Sequence, residues 1–324
     1  MRRMVRLVIV RAVHLSRGVQ KQLVNAESTK SDPESVQGIL EICSKRFKPV
    51  NEPHVYMSSR TDRGVHALCS SAHVDLEHAG GLTYHPAHLT VGYNRYFAEA
   101  ELDVRVQSVH IVPETFHARF SAKSRTYLYR LAVRNPDAPP INGNSSWMVE
   151  IPFLEWNRCH FIQKVDKFDV SLLKAAAALF PGTKDFRTFM GNKAKLPPDI
   201  STVKEMYRLD ITPGTPLLGA EYSSCCSYYT FWDITCQARS FLYRQVRRMV
   251  GALISVAVGH ISIEEIRYML ESPSKNSWNS RINVVPPYGL YLVGVEYDPL
   301  EIVMPQEISE QDQKRNTALL GQVE

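Results

Sequence analysis

Arg125-Thr126-Tyr127-Leu128-Tyr129-Arg130-Leu131-Ala132-Val133 alternates with a period of two: Tyr127, Tyr129, Leu131 and Val133 share one face and Arg130 lies on the other. That is the pattern of a β-strand with one face turned to a core. Asn135-Pro136-Asp137-Ala138-Pro139-Pro140 follows, the densest run of chain breakers in the middle of the sequence. It predicts a linker over 135–145 between two halves, 27–134 and 146–303.

Working outward, Ser35 to Phe47 has a helical period, with Val36, Ile39, Leu40, Cys43 and Phe47 on one face and Lys45, Arg46 and Lys48 near the end. Val55 to Ser58 reads as a short strand, Ser59 to Ala67 as a polar loop and Cys69 to Leu76 as the returning strand. A helix over Pro86 to Ala100 and a strand over Asp103 to Val112 complete the first half. In the second, the pattern predicts a helix over Val170 to Phe180 and strands over Thr202 to Ile211 and Tyr228 to Cys236. A long helix from Phe241 to Gly259, a shorter one from Ser262 to Leu270 and a last strand from Gly289 to Tyr297 follow. Residues 304–324 are polar and read as a disordered tail. Helices and strands interleave, so the expected class is α+β (mixed α/β), with two sheet-containing halves of mainly antiparallel strands flanked by helices.

Composition bounds the partners. The 324 residues suit two domains or one large one. A net charge of +5 excludes an acidic solvating protein and permits a nucleic-acid partner without demanding one. The longest apolar stretch, Met249 to Val258, is far short of the ~20 residues that span a membrane, so no membrane partner is expected. Six cysteines without a C-x-x-C pair read as free thiols in a reducing compartment, and the eleven histidines show no metal-ligand spacing. Residues 1–26 carry Arg2, Arg3, Arg6, Arg11, Arg17 and Lys21 before the first acid, Glu27. Two readings fit equally: a mitochondrial transit peptide, or a first strand over Val5 to Val10.

The segment richest in chemistry is Ser58-Ser59-Arg60-Thr61-Asp62-Arg63-Gly64-Val65-His66-Ala67-Leu68. Asp62 lies between two arginines that favour its charged form, and Gly64 permits a tight turn presenting it at a strand end. On these residues alone, the favoured reading is that Asp62 and Thr61 cap a turn, with the arginines in solvent. Arg247 falls between the charged face of its helix, set by Arg244 and Arg248, and the apolar face of Val246, Val250, Leu253 and Ile254. A guanidinium at such a boundary either snorkels to the surface, the favoured reading of these residues alone, or is buried and needs an acceptor.

Arg60-Thr61-Asp62-x-Gly-Val-His-Ala resembles the active-site motif of the TruA-type tRNA pseudouridine synthases. Phe116 to Arg130, Asp185 to Phe189, Ser240 to Gly251 and Gly289 to Leu292 resemble further blocks of that family, in family order. The wording is nearest its metazoan pseudouridylate synthase-like 1 branch. Two departures stand out. Arg63 replaces the usual alanine, and Arg11 to Gly18 lacks the family's opening turn, Gly18-Val19-Gln20 matching only its end.

The resemblance implies two halves around a central basic cleft with Asp62 at its floor. It implies an isomerase that converts uridine to pseudouridine in structured RNA, tRNA first and mRNA second, without cofactor or metal. It implies Asp62 as the catalytic carboxylate, Arg247 as its partner and Tyr127 stacked on the target uracil. It implies Arg60 holding or replacing the extruded nucleotide. Arg119 sits with Lys123, Arg125 and Arg130 around Tyr127, a setting that suits a base beside a phosphate backbone. His66, His117 and Leu290 are expected to line the site or support its loops. Arg187, Lys193, Lys195, Arg239, Arg244 and Arg248 are candidates for RNA phosphates. Family members act as homodimers or monomers, so either state is open. The expected location is mitochondrial, with cytoplasm or nucleus as alternatives. Two other functions compete: a catalytically inactive RNA-binding protein on the same fold, and a glycosylase using Asp62.

Overall fold

The computed structural model describes residues 4–11, 35–79, 83–139, 150–163, 167–191, 200–219 and 223–302, with backbone alone for 4–11. Loop 25–33, the opening turn near Gly18, Lys193, Lys195 and the tail 304–324 lie outside these residues. The chain forms two compact units, one of Met1–Lys123 with Leu292–Glu324 and one of Ser124–Tyr291. Both mix helices with mainly antiparallel strands, so the class is α+β as the pattern predicts.

In the first unit, β1 (Met4–Arg11) pairs antiparallel with β3 (His66–Asp75) on one side and β4 (Val104–Val112) on the other. The run Val5 to Val10 is therefore a strand inside a sheet. A short β2 (Val55–Met57) adds to β3, with Val55 opposite Val74 and Tyr56 opposite His73. Helix α1 (Val36–Arg46) starts where the Ser35 side chain accepts the Gly38 N–H, and Lys45 and Arg46 occupy its last turn. Helix α2 (Pro86–Glu99) opens on proline at its first position and buries Leu89, Tyr93 and Phe97, four residues apart. These pack with Ile39, Leu40 and Cys43 of α1 against Val55, Ala72, Val74, Val104 and Val106. Each fully buried large side chain contributes roughly 1.5–3 kcal/mol.

The second unit is built on β5 (Ser124–Arg134), paired along ten residues with β9 (Tyr229–Ala238). Next to β9 comes β8 (Val203–Pro213) and then β7 (Gly182–Asp185), while β6 (His160–Ile162) lies parallel to β5. The linker expected at 135–145 follows β5, whereas the units divide ahead of it. The ten-residue ladder to β9 places β5 with the residues after it. Helices α3 (Val170–Ala177), α4 (Gln245–Ala257) and α5 (Ile263–Glu271) belong to this unit. The chain closes with β10 (Leu290–Glu296), whose first two residues fall in the second unit and the rest in the first.

Two differences from the sequence reading matter for the site. The long helix starts at Gln245, not Phe241. The Gln245 side chain accepts the Leu242 N–H at 2.8 Å, and Arg244 sits in the left-handed region at φ 58°. A side-chain bond back to the turn thus replaces a first helical turn, and Phe241 to Arg244 form a shaped entry. Arg130 is also not a surface cation. The strand is buried on both faces, and Arg130 grips Glu155 with two bonds of 2.7 and 3.0 Å, the two side chains being 9% and 1% exposed. Glu155 also accepts the Leu217 N–H, and Arg130 donates to the Thr215 carbonyl.

Candidate active site

The Asp62 segment is shaped by the strand ends around it. Past β2, the Ser58 N–H donates to the Ser71 carbonyl at 2.8 Å, and Ser58 and Ser59 are buried. The chain then turns: the Val65 N–H donates to the Asp62 carbonyl at 3.1 Å and Gly64 has φ 81°. That is a four-residue turn whose third position needs positive φ, which glycine adopts without steric cost. Thr61, Val65 and His66 are buried on either side of it, while Asp62 is half-buried at the surface. Arg60 and Arg63 are exposed. Arg63, the departure from the family motif, occupies the outer corner of the turn, where a long side chain fits without disturbing the fold.

Arg119 comes from the loop after β4. It lies close enough to Arg60 that its charge, after burial, lowers the Arg60 pKa. The turn carrying it is tied down locally. The His117 carbonyl accepts from the Phe120 and Ser121 N–H groups, and His117 Nδ1 accepts the Arg119 N–H at 3.1 Å. Below, His73 Nδ1 accepts the Ala118 N–H at 3.0 Å, and the Tyr297 hydroxyl donates to the Ala118 carbonyl at 2.6 Å. The first unit thus carries Arg60 and Asp62 on the β2–β3 loop, His66 at the start of β3 and Arg119 on the loop after β4.

His73 carries a pH dependence of its own. Burial, and then the nearby His117, lower its pKa to about 4. The unfolded chain, with an ordinary histidine value near 6.5, binds the extra proton over the window from about 6.5 to 4. Stability is therefore lost as pH falls through that window. The urea midpoint is expected to fall from pH 7 to 4.5, and to fall less steeply in His73→Gln. An equal slope in both proteins would remove His73 as a cause.

In the second unit, Tyr127 is buried, its ring edge-on to Phe241 at 5.2 Å. The entry ahead of α4 supplies that Phe241 contact. Arg247 is half-buried, and its Nε donates to the Val285 carbonyl at 2.8 Å, one acceptor for the boundary guanidinium. Gly251, one turn further along the same helix face, makes this approach possible: a Cβ there would lie 2.3 Å from the Asn283 carbonyl oxygen. Leu290 is buried at the start of β10. Arg125, one of the cations expected around Tyr127, is buried and donates to the Arg239 carbonyl at 2.6 Å. Arg248 lies 3.6 Å over the Trp278 ring, and burial, then Arg244, lower its pKa to about 10. Arg187 bridges Asp185. A strand arginine flanked on its own face by Leu128 and Ala132 was the available signal that Arg130 is interior. The Val285 carbonyl had none, since backbone acceptors are silent in sequence.

A family model described as tRNA pseudouridine synthase matches residues 176–298. The tRNA pseudouridine synthase-like 1 of Xenopus laevis is 35% identical over 273 residues, covering 82% of this chain and 84% of that protein. The chain belongs to the tRNA pseudouridine synthase family. The human tRNA pseudouridine synthase-like 1 is 34% identical over 268 residues, 82% of each chain. The tRNA pseudouridine synthase A of Brucella ovis is 31% identical over 263 residues, 81% of this chain and 88% of its own. These matches to pseudouridine synthases run across most of both units, and membership makes the chain an isomerase. Among the described residues, no group of histidine, cysteine or carboxylate side chains could hold a metal ion, and no helix is long and apolar enough to cross a membrane.

Proposed function

We propose that this synthase isomerises uridine to pseudouridine in structured RNA, with tRNA as its main substrate and mRNA as a second class, using the Asp62 carboxylate. The observation that carries the reading is the Asp62 turn. A carboxylate is presented at the end of a buried strand pair, on a glycine turn, with two exposed arginines beside it. The reaction breaks the N1–C1′ bond, turns the uracil and forms the C5–C1′ bond, after which C5 gives up its proton and N1, freed of the sugar, takes one up. Atoms balance without oxidant or phosphate. A carboxylate supports such a step by covalent adduct at the sugar or by taking a proton on a glycal route.

In this reading Tyr127 supplies an aromatic face for the uracil and Arg247 a guanidinium. Arg60 and Arg119 hold RNA near the extruded nucleotide, whose unstacking costs a few kcal/mol. His66 and Leu290 shape the surroundings. Mapping pseudouridine with carbodiimide on total tRNA and mRNA, before and after incubation with the purified full chain, tests it. New stops at defined uridines are expected. Unchanged RNA would overturn the reading, and free uracil would mean a glycosylase instead. Mitochondrial residence is part of the proposal, with the basic start, Arg2 to Lys21, as an address kept in the mature protein because Met4–Arg11 forms β1; imaging of a C-terminally tagged full chain checks it.

A further inference from the structure

The first unit carries an aromatic surface of its own. Tyr56 and His73 face each other across β2 and β3, their rings stacked 4.9 Å apart with planes within 11°. His73 is buried, while Tyr56 above it is 49% exposed. His117 meets Tyr56 at 5.6 Å and Phe120 at 4.4 Å. Phe120 is 70% exposed, so two large aromatic rings, Tyr56 and Phe120, reach solvent on either side of His117. The Arg119 guanidinium lies 5.5 Å from the Phe120 ring centre, and Arg60 is near enough to feel its charge.

The platform is rigid where it needs to be. The His117–Phe120 turn is anchored from below by His73 Nδ1 and the Tyr297 hydroxyl, both bonded to the backbone of Ala118. Both imidazoles accept a backbone N–H at Nδ1, so each is fixed as a neutral ring with its proton on Nε2. Two exposed aromatic rings, a neutral imidazole between them and guanidinium groups at the edge are the elements that hold a nucleobase face and its phosphate together. The charge favours a nucleic acid over an apolar peptide, which would leave the arginines without anionic partners.

We infer that Tyr56, His117 and Phe120, with Arg119 beside them, form a stacking platform for an unpaired RNA base other than the target uridine. The inference rests on the proposed action on RNA and names a contact for it. Stacking of one base is worth roughly 5- to 150-fold in affinity. The platform acts in binding, not in bond breaking.

The test compares full-length Phe120→Ala, Tyr56→Ala and Phe120→Trp with the unaltered protein, using a fluorescently labelled tRNA transcript. Circular dichroism checks folding, and Phe120, being exposed, is the variant that leaves the core intact. Expected are a Kd raised at least about fivefold in Phe120→Ala and an unchanged single-turnover rate at saturating RNA. Phe120→Trp should restore affinity, with RNA-dependent quenching of the new indole. A Kd unmoved in folded Phe120→Ala and Tyr56→Ala would overturn the platform, as would a lowered saturating rate at unchanged Kd. An unaltered protein that binds RNA through these residues but forms no pseudouridine would keep the platform and remove the isomerase reading. An active protein indifferent to these changes would do the reverse.

Discussion

Asp62→Asn is expected to lower the single-turnover rate of pseudouridine formation by at least about 1,000-fold, with RNA affinity little changed. Asparagine has nearly the shape of aspartate, and the turn is closed through the Asp62 backbone carbonyl and the Val65 N–H, which the substitution leaves in place. The loop therefore keeps its form. An amide is a poor nucleophile toward the sugar and a poor proton acceptor, so both routes open to the carboxylate are lost. Asp62→Ala should match it, which separates chemistry from shape. The readout is nucleoside mass spectrometry of a single-uridine substrate after one turnover, beside an anisotropy Kd. An asparagine variant within tenfold of the parent would take Asp62 out of the reaction.

Glu155→Ala is expected to cost about 3–5 kcal/mol and to lower Tm by roughly 10 °C. The carboxylate receives both ends of the Arg130 guanidinium and the Leu217 N–H in a site almost closed to water. Its removal leaves a buried cation and an orphaned amide. Replacing both partners, in Arg130→Met with Glu155→Leu, should recover most of the loss, because the charge to be compensated is gone. Thermal unfolding of the two single variants and the double forms the cycle. If the double variant is as unstable as the sum of the singles, the pair is not the source of the penalty.

Elements with a long periodic stretch were legible in the sequence. β5 shows its alternation over Arg125 to Val133, and α1 and α2 show their apolar faces at helical spacing. Strands β6 and β7, of three and four residues, carry too few side chains to display a period, and their neighbours in the sheet create them. The start of α4 was misread because helical spacing continues through Phe241, whereas a side-chain bond from Gln245 and a left-handed Arg244 decide the backbone. In the candidate site, the Asp62 turn was readable from Gly64. The burial of Arg125 was not, since a cation near a strand start has no local mark of what lies opposite, and that of Arg130 was marked only by the apolar Leu128 and Ala132 on its own face. The Tyr56–His73 stack depends on strand register, which joins residues far apart in the chain.

The first unit contains both the opening and the closing segments of the chain, and this orders its assembly during synthesis. The Tyr297 hydroxyl, which reaches Ser71 and the Ala118 carbonyl, leaves the ribosome only after the whole of Ser124–Tyr291 has been made. At about 5–20 residues per second, that interval is on the order of 10 s. Throughout it the nascent β-sheet must wait with the cleft around Phe116, Ala118 and Ala122 unsealed, while the later unit has all its own strands to hand. The inserted unit is thus free to mature first, and the turn that carries Arg119 acquires its lower anchor last.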